Sequence, residues 1–162
     1  MKSLQIIPDR CTGCMRCELA CSFAQTGTYQ PARSVIRVTA LEGHTSYAPY
    51  TCFQCKEGWC MTACPVDAIG INAADAKAVV TSQCVGCKLC TIACPYGTVF
   101  LNPETNKAIK CDLCSGDPAC AKACPVDAIT WESGESEDWL GEFAQDRAGY
   151  NITGRATAKE QG

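Results

Sequence analysis

The sequence predicts a small α+β protein, and three observations support that class. Sixteen of its 162 residues are cysteines, which fall into four groups of four along the chain. Short apolar segments of strand length lie between the groups, and a helical turn is expected where each group ends. The heptapeptide ACPVDAI occurs twice, at Ala63–Ile69 and Ala123–Ile129, which indicates an internal repeat. A short chain of this composition needs covalent or metal staples to fold.

The four cysteine groups share one spacing. The third group follows the C-x2-C-x2-C-x3-C-P run of bacterial ferredoxins, in which thiolates hold [4Fe–4S] clusters. The second and fourth groups have extra residues before their third cysteine, and the first group has Ser22 where the others have proline. The groups are Cys11, Cys14, Cys17 and Cys21; Cys52, Cys55, Cys60 and Cys64; Cys84, Cys87, Cys90 and Cys94; and Cys111, Cys114, Cys120 and Cys124. We expect all sixteen to be ligands of four [4Fe–4S] clusters.

The spacing also predicts which cysteines share a cluster. Three thiolates on a tight loop reach three corners of one cluster, whereas the fourth cysteine points away to the neighbouring cluster. The second and third motifs therefore exchange their fourth cysteines. This predicts a Cys52 set (Cys52, Cys55, Cys60 and Cys94) and a Cys64 set (Cys64, Cys84, Cys87 and Cys90).

The first and fourth motifs are then left to pair with each other. They give a Cys11 set (Cys11, Cys14, Cys17 and Cys124) and a Cys21 set (Cys21, Cys111, Cys114 and Cys120). A sequential pairing, first motif with second and third with fourth, is the alternative. The crossed pairing predicts a tandem, nested arrangement of two bacterial two-[4Fe–4S] ferredoxin-like units with a C-terminal tail. The outer unit would be residues 1–45 plus 96–131, the inner unit 46–95, and the tail 132–162.

The secondary-structure elements follow from the segments between the motifs. Gly13 and Gly86 hold matching places in their motifs, where a left-handed turn beside a cluster is expected. A helical turn is expected over Glu18–Ala24, and Leu4–Ile7 is expected to pair with Ile129–Trp131 and close the outer unit. Strands are predicted, in order, at residues 3–8, 34–41, 45–50, 68–72, 78–81, 98–101 and 108–110.

The tail after Trp131 contains no cysteine. Ser136 is placed to cap a helix, on one face of which Trp139, Leu140 and Phe143 would lie. This face would dock a partner protein, mediate self-association with a second copy, or pack on its own chain. An extended end is expected beyond Gly149.

The composition excludes several classes of protein. The formal charge is −3 without a basic stripe, which argues against nucleic acid as a partner. No apolar run is long enough to span a membrane and no signal sequence is visible, so a cytoplasmic protein is expected. In that reducing compartment disulfides are disfavoured. Zinc is disfavoured because the third cysteine always follows closely and His44, expected in a solvated loop, is the only histidine.

Basic residues stand beside several cysteines. Each taken singly is expected to be an ordinary solvated charge, while together they would raise reduction potentials by stabilising the more negative, reduced clusters. These residues are Arg10, Arg16, Lys56, Lys88 and Lys110. No catalytic residue is predicted, because every cysteine is assigned as a ligand and no nucleotide loop, serine elbow or histidine base is found. Any catalysis would belong to another polypeptide.

The order of the motifs, with CxxCxxCxxxC first and C-x4-CxxxCP and C-x5-CxxxCP in the second and fourth, resembles a known family. It is that of the four-cluster ferredoxin-like electron-transfer subunits of molybdenum and tungsten oxidoreductases, and the resemblance covers residues 3–131. It implies crossed pairing, with the Cys11 set facing the catalytic subunit and the Cys64 set farthest away. Because Cys87 and Cys90 are both present, it also implies four [4Fe–4S] clusters.

The resemblance further implies the partners. Single electrons would pass between a large Mo/W catalytic subunit and a flavin (FAD) subunit or a ferredoxin. The short chain without an anchor helix is most similar to the small subunits of tungsten aldehyde oxidoreductases. The alternative is a diffusible polyferredoxin that serves a carbon monoxide dehydrogenase or a hydrogenase.

Overall fold

The structure, a computed structural model, describes residues 2–41 and 46–133, which include all sixteen cysteines. The predicted tail helix and the His44 loop lie outside the described residues. The strands of the described part are β1 (Lys2–Ile6), β2 (Arg37–Leu41), β3 (Ser46–Tyr50), β4 (Ile69–Ile71), β5 (Lys77–Val79), β6 (Phe100–Leu101), β7 (Ala108–Ile109) and β8 (Ile129–Ser133). The α-helices are α1 (Arg16–Thr26), α2 (Trp59–Thr62), α3 (Leu89–Ala93) and α4 (Ala119–Ala123), and 3-10 turns cover Pro8–Arg10, Pro31–Arg33 and Leu113–Gly116. This mixture of short helices and strands confirms the α+β composition.

The residue after the last cysteine of each motif decides where the helix ends. Proline disfavours helical backbone in the residue before it; α3 and α4 end directly before a Cys-Pro pair, and α2 ends one residue earlier. The first motif has Ser22 at this place, so α1 continues for 11 residues and exceeds the predicted turn over Glu18–Ala24. The Ser22 hydroxyl donates to the carbonyl of Leu19 at 2.8 Å and accepts from the amide of Gln30 at 3.1 Å. The serine thus also holds the loop that follows the helix.

The strands form four antiparallel pairs: β1 with β8, β2 with β3, β4 with β5, and β6 with β7. In the first pair Leu4 lies opposite Trp131 and Ile6 opposite Ile129. This confirms the predicted closing pair, which joins the two ends of the described chain. The predicted hairpins of the inner segments are also confirmed, with strands one or two residues shorter than expected.

The strand predicted over residues 34–41 begins only at Arg37, so its first part is wrong. The Ser34 hydroxyl donates to the carbonyl of Ile36 at 2.7 Å and accepts from the amide of the same residue at 3.2 Å. A serine that bonds nearby backbone in this way replaces the partners that a strand would supply. The apolar pattern of this segment therefore reflects burial in a turn.

Cysteines form a substantial part of the core. α1 packs against α4, and α2 packs against α3. Four of the ten buried residues of the larger core cluster are cysteines, and its aliphatic members come mainly from β1, β8 and the turn before β2. A second, smaller cluster contains Ile69, Cys90, Val99 and Ala108. Nothing in the described helices is long and apolar enough to cross a membrane.

Candidate metal centres

Two cavities are each lined by one predicted set of four cysteines. One cavity is lined by the whole Cys64 set, together with Gly86, Lys88 and apolar side chains that include Val66 and Val85. The other is lined by the whole Cys52 set, together with Trp59, Lys77 and Lys110. Each encloses about 330 Å³, part of which is open to solvent. The fold therefore brings together cysteines from two motifs that are about 30 residues apart in the chain.

Electrostatic interactions between cysteines join the members of each of the other two sets. Cys11 lies near Cys14 and Cys124, and Cys17 lies near Cys11 and Cys14. In the Cys21 set, Cys120 likewise has Cys111, Cys21 and Cys114 as neighbours. Each of these sets again combines the first motif with the fourth.

The repeated heptapeptide explains how the fourth cysteine is placed. In the first copy the Ala68 amide donates to Cys64 Sγ at 3.2 Å, and in the second the Ala128 amide donates to Cys124 Sγ at 3.2 Å. The carbonyl of Ala128 then accepts from the amide of Ile7 at 2.8 Å. The equal sequence gives an equal turn, and the second copy is tied to the strand that leads into the first motif. Cys124 is consequently carried to the Cys11 loop.

Two glycines allow the first loops of the motifs to be tight. Gly13 and Gly86 have φ values of 73° and 74°, which confirms the expected left-handed turns. A Cβ on Gly13 would lie 2.8 Å from the ring of Tyr47, and a Cβ on Gly86 would lie 2.5 Å from the carbonyl oxygen of Asn106. Both positions therefore require glycine for its φ value and for its lack of a side chain.

Burial raises the pKa of several thiols. It is the main reason why the pKa of Cys17 and that of Cys111 rise from 9.0 to about 12 and that of Cys55 to about 11. Repulsion from Cys52 adds to the rise at Cys111, whereas a backbone amide opposes it. Without iron, these three thiols are thus protonated at neutral pH, although a metal ligand has to be a thiolate.

This predicts that cluster assembly depends on pH. Iron and sulfide have to displace protons, so binding weakens as the pH falls below the thiol pKa values. We expect an iron-free chain incubated with limiting iron and sulfide to bind clearly more iron at about pH 9 than at about pH 7. Iron per chain after desalting measures the effect. Equal binding at both values would contradict proton displacement.

Electrostatic interactions also join each set to the next in a fixed order. Cys17 of the Cys11 set neighbours Cys120 of the Cys21 set. Cys111 of the Cys21 set neighbours Cys52 of the Cys52 set. Cys60 of the Cys52 set neighbours Cys90 of the Cys64 set. These interactions arrange the four groups of thiols in single file.

The prediction that Lys110 is a solvated charge is wrong. This residue is 4% exposed and lines the cavity of the Cys52 set. Burial raises the pKa of Cys60, and the Lys110 ammonium opposes that rise. The lysine is therefore part of the site.

Sequence reasoning also missed two polar side chains at the site. Gln54 donates to the carbonyl of Cys111 at 2.7 Å and accepts from the amide of Lys77 at 2.7 Å, so it links the second and fourth motifs. The Thr98 hydroxyl lies 3.4 Å from Cys94 Sγ. Thr98 is four residues after Cys94, as Ala68 is after Cys64, and this shared offset is the signal that would have found it.

The donors present fit iron–sulfur clusters. All sixteen cysteines are free of disulfides. Within residues 2–41 and 46–133, no three Cys, His, Asp or Glu side chains converge on a point where a single metal ion would bind. The thiols instead surround spaces, and backbone amides donate to Cys52, Cys64, Cys84 and Cys124 as they do to cluster sulfurs.

Comparison with known proteins points the same way. Residues 44–133 match the 4Fe-4S dicluster domain, and residues 4–23 match the 4Fe-4S binding domain. The polyferredoxin-like subunit of an aliphatic sulfonate oxidoreductase from Pyrococcus furiosus is 37% identical over 86 residues, covering 52% of this chain and 49% of that protein. Hydrogenase-4 component A from Escherichia coli is 40% identical over 85 residues, covering 51% of this chain and 39% of that protein. The chain thus spans about half the length, or less, of these curated relatives.

Among solved structures, a chain of the active site complex BamBC of benzoyl coenzyme A reductase, as isolated, is similar over 91% of this chain and 87% of its own. The sequence identity is 25% and the TM-score is 0.48.

Proposed function

Because this chain belongs to the 4Fe-4S dicluster domain family, we propose that it is an electron-transfer subunit with four [4Fe–4S] clusters. It relays single electrons between a large Mo/W catalytic subunit and a flavin (FAD) subunit or a ferredoxin, in the cytoplasm. The Cys11, Cys21, Cys52 and Cys64 sets are the ligands. The outer unit, residues 1–45 plus 96–131, encloses the inner unit, residues 46–95, and no residue of the chain is catalytic.

A [4Fe–4S] cluster, when bound, accepts and returns one electron at a time. The contribution of the chain is to hold four sets of thiols next to one another. The single file of these sets is the observation that carries the proposal, since each set neighbours the next through a pair of cysteines. A protein that only stored iron would have no need of such an order.

The two ends of the file are the exposed ones. Cys14 of the Cys11 set and Cys87 of the Cys64 set are exposed, whereas the other fourteen cysteines are buried or half-buried. Partners that exchange electrons with this chain therefore dock at these ends. Following the family resemblance, we assign the Cys11 end to the catalytic subunit and the Cys64 end to the flavin subunit or ferredoxin.

One position of the motif supports docking at both ends. The residue two places after the third cysteine is Leu19 in the first motif and Ile92 in the third, and both are exposed, at 38% and 78%. The matching residues of the second and fourth motifs are Thr62 and Lys122. Apolar side chains are thus exposed at the two ends of the file and replaced by polar ones elsewhere, which favours protein contacts at the ends.

The catalytic partner that we favour is a tungsten aldehyde oxidoreductase, because the cysteine motifs resemble those of the small subunits of these enzymes. The polyferredoxin-like subunit of an aliphatic sulfonate oxidoreductase is a relative whose name also indicates service to an oxidoreductase.

A second candidate is a diffusible polyferredoxin that serves a hydrogenase or a carbon monoxide dehydrogenase. The similarity to hydrogenase-4 component A favours it. Anaerobic purification of the tagged chain from its native source separates the two functions. A stable subunit is expected to bring with it a large chain that contains molybdenum or tungsten, whereas a diffusible carrier would elute alone.

Paired substitutions at the two ends test the direction of docking. We expect Ile92→Glu to abolish electron exchange with the flavin subunit or ferredoxin, with assembly on the catalytic subunit unchanged, because it places a charge on an apolar contact. Leu19→Glu, at the matching position, is expected to have the opposite effect. Size-exclusion chromatography measures assembly, and reduction of the purified partner measures exchange. If neither variant affects either partner, docking at the ends is wrong.

A further inference from the structure

Lys110 is a buried cation, and the proposed electron transfer does not by itself explain its burial. Only two ionisable residues other than cysteine, Glu18 and Lys110, are buried in the described part of the chain. Lys110 directly precedes Cys111 of the fourth motif, but it lines the cavity of the Cys52 set. It therefore belongs by sequence to one set of ligands and by position to another.

The described residues offer Lys110 no negative partner. Its ammonium donates to the carbonyl of Lys77 and, at 3.4 Å, to that of Cys111. The ion pairs of residues 2–41 and 46–133 are Arg33 with Glu104 and Lys122 with Asp117, and neither involves Lys110. Carbonyl dipoles satisfy the N–H groups but do not neutralise the charge. Burying an unpaired ammonium is costly, so a countercharge is expected close by.

The ligands of the Cys52 set provide that countercharge. Four thiolates and a [4Fe–4S] core in its usual +2 state carry a net charge of about −2, and reduction adds one further negative charge. We propose that Lys110 is the counter-ion of the cluster held by the Cys52 set and that it raises the reduction potential of that cluster. A fixed positive charge attracts the reduced form more strongly than the oxidised form, because the reduced form is the more negative one.

The Cys11 set has the opposite arrangement. Glu18 is buried beside Cys17, and its carboxylate accepts from the amide of Val38 at 2.6 Å. The buried charge is thus negative beside the Cys11 set, at one end of the file, and positive beside the Cys52 set, in the interior of the file. The Lys110 effect is consequently local to the Cys52 set and is not a general property of the fold.

This inference rests on the proposed function, and its test separates the two. The holoprotein and its Lys110→Met variant are titrated with a reductant while EPR records each reduction step. In the variant, we expect the reduction potential of one cluster to fall by about 59 mV. For one electron this is a tenfold shift of the reduction equilibrium towards the oxidised form. Lys107→Met is the control. Lys107 lies on the same hairpin as Lys110, but its ammonium donates to the carbonyl of Thr81 at the surface. Lys107→Met should change the reduction potential of each cluster by only a small part of about 59 mV.

Lys110→Arg keeps the charge and provides the second arm. If Lys110→Met loses about four iron atoms per chain and Lys110→Arg retains them, the cluster requires the positive charge, as proposed. If both variants lose iron, Lys110 serves packing and the inference is wrong. If Lys110→Met retains all clusters with unchanged potentials, the inference is also wrong, while the proposed relay stands. A wild-type chain without iron would instead overturn the relay.

Discussion

Removal of the iron is expected to unfold this chain. Four of the ten buried residues of the larger core cluster are cysteines, which we propose as cluster ligands, and the strand pairs have only two to five residues per strand. Two-stranded sheets of this size are not stable in isolation. Small metal-dependent domains gain their folding free energy from the metal, so chelators denature them. We expect anaerobic treatment with an iron chelator to remove the cooperative thermal transition and most of the far-ultraviolet circular dichroism.

A reductant serves as the matched control. Because no disulfide is present, a thiol reductant without chelator should leave the transition where it is. Re-addition of iron and sulfide should restore it. An iron-free chain that keeps its cooperative transition would show that the apolar core is sufficient, and the proposed ligand role of the cysteines would lose its main support.

Cys124→Ala is expected to remove one cluster and to leave three. In the proposed crossed pairing, Cys124 is the fourth ligand of the Cys11 set, although it lies 107 positions after Cys17 in the chain. The electrostatic contact of Cys124 with Cys11 and the tie of Ala128 to Ile7 support this assignment. The iron content should fall from about 16 to about 12 atoms per chain, because each cluster holds four.

Double substitutions make this test decisive. Cys17→Ala should also remove about four iron atoms, and its combination with Cys124→Ala should remove no more, since both residues would serve one cluster. Sequential pairing assigns them to two clusters and predicts a loss of about eight. Cys64→Ala is the matched control because it changes the same heptapeptide. Combined with Cys124→Ala, it should remove about eight iron atoms, which shows that losses of separate clusters add.

Much of the fold was predictable because the motifs restrict the chain strongly. Proline after Cys64, Cys94 and Cys124 predicts short helices, and Ser22 at the corresponding place permits the longer α1. The glycines between the first two cysteines of the first and third motifs predict the left-handed turns. The pairing of β1 with β8 was predicted from the crossed pairing of the motifs, and the observed register confirms this pair of strands.

Other features were not predictable because they depend on what lies opposite in space. The apolar residues Val35 and Ile36 suggested a strand, but the Ser34 hydroxyl holds them in a buried turn. Gln54 looked like an ordinary polar loop residue, yet it bridges two motifs. Lys110 looked like a solvated charge, yet it is buried and its ammonium donates to the carbonyl of Lys77 in β5.

The sequence by itself determined the chemistry of this protein. The number and spacing of the cysteines predict iron–sulfur ligands, since spacing along the chain controls which thiolates can reach a common cluster. Only the tertiary structure decided the order of the four sets and the burial of a positive charge beside one of them. These are distances between residues that are remote in sequence, and such distances become defined only when the chain has folded.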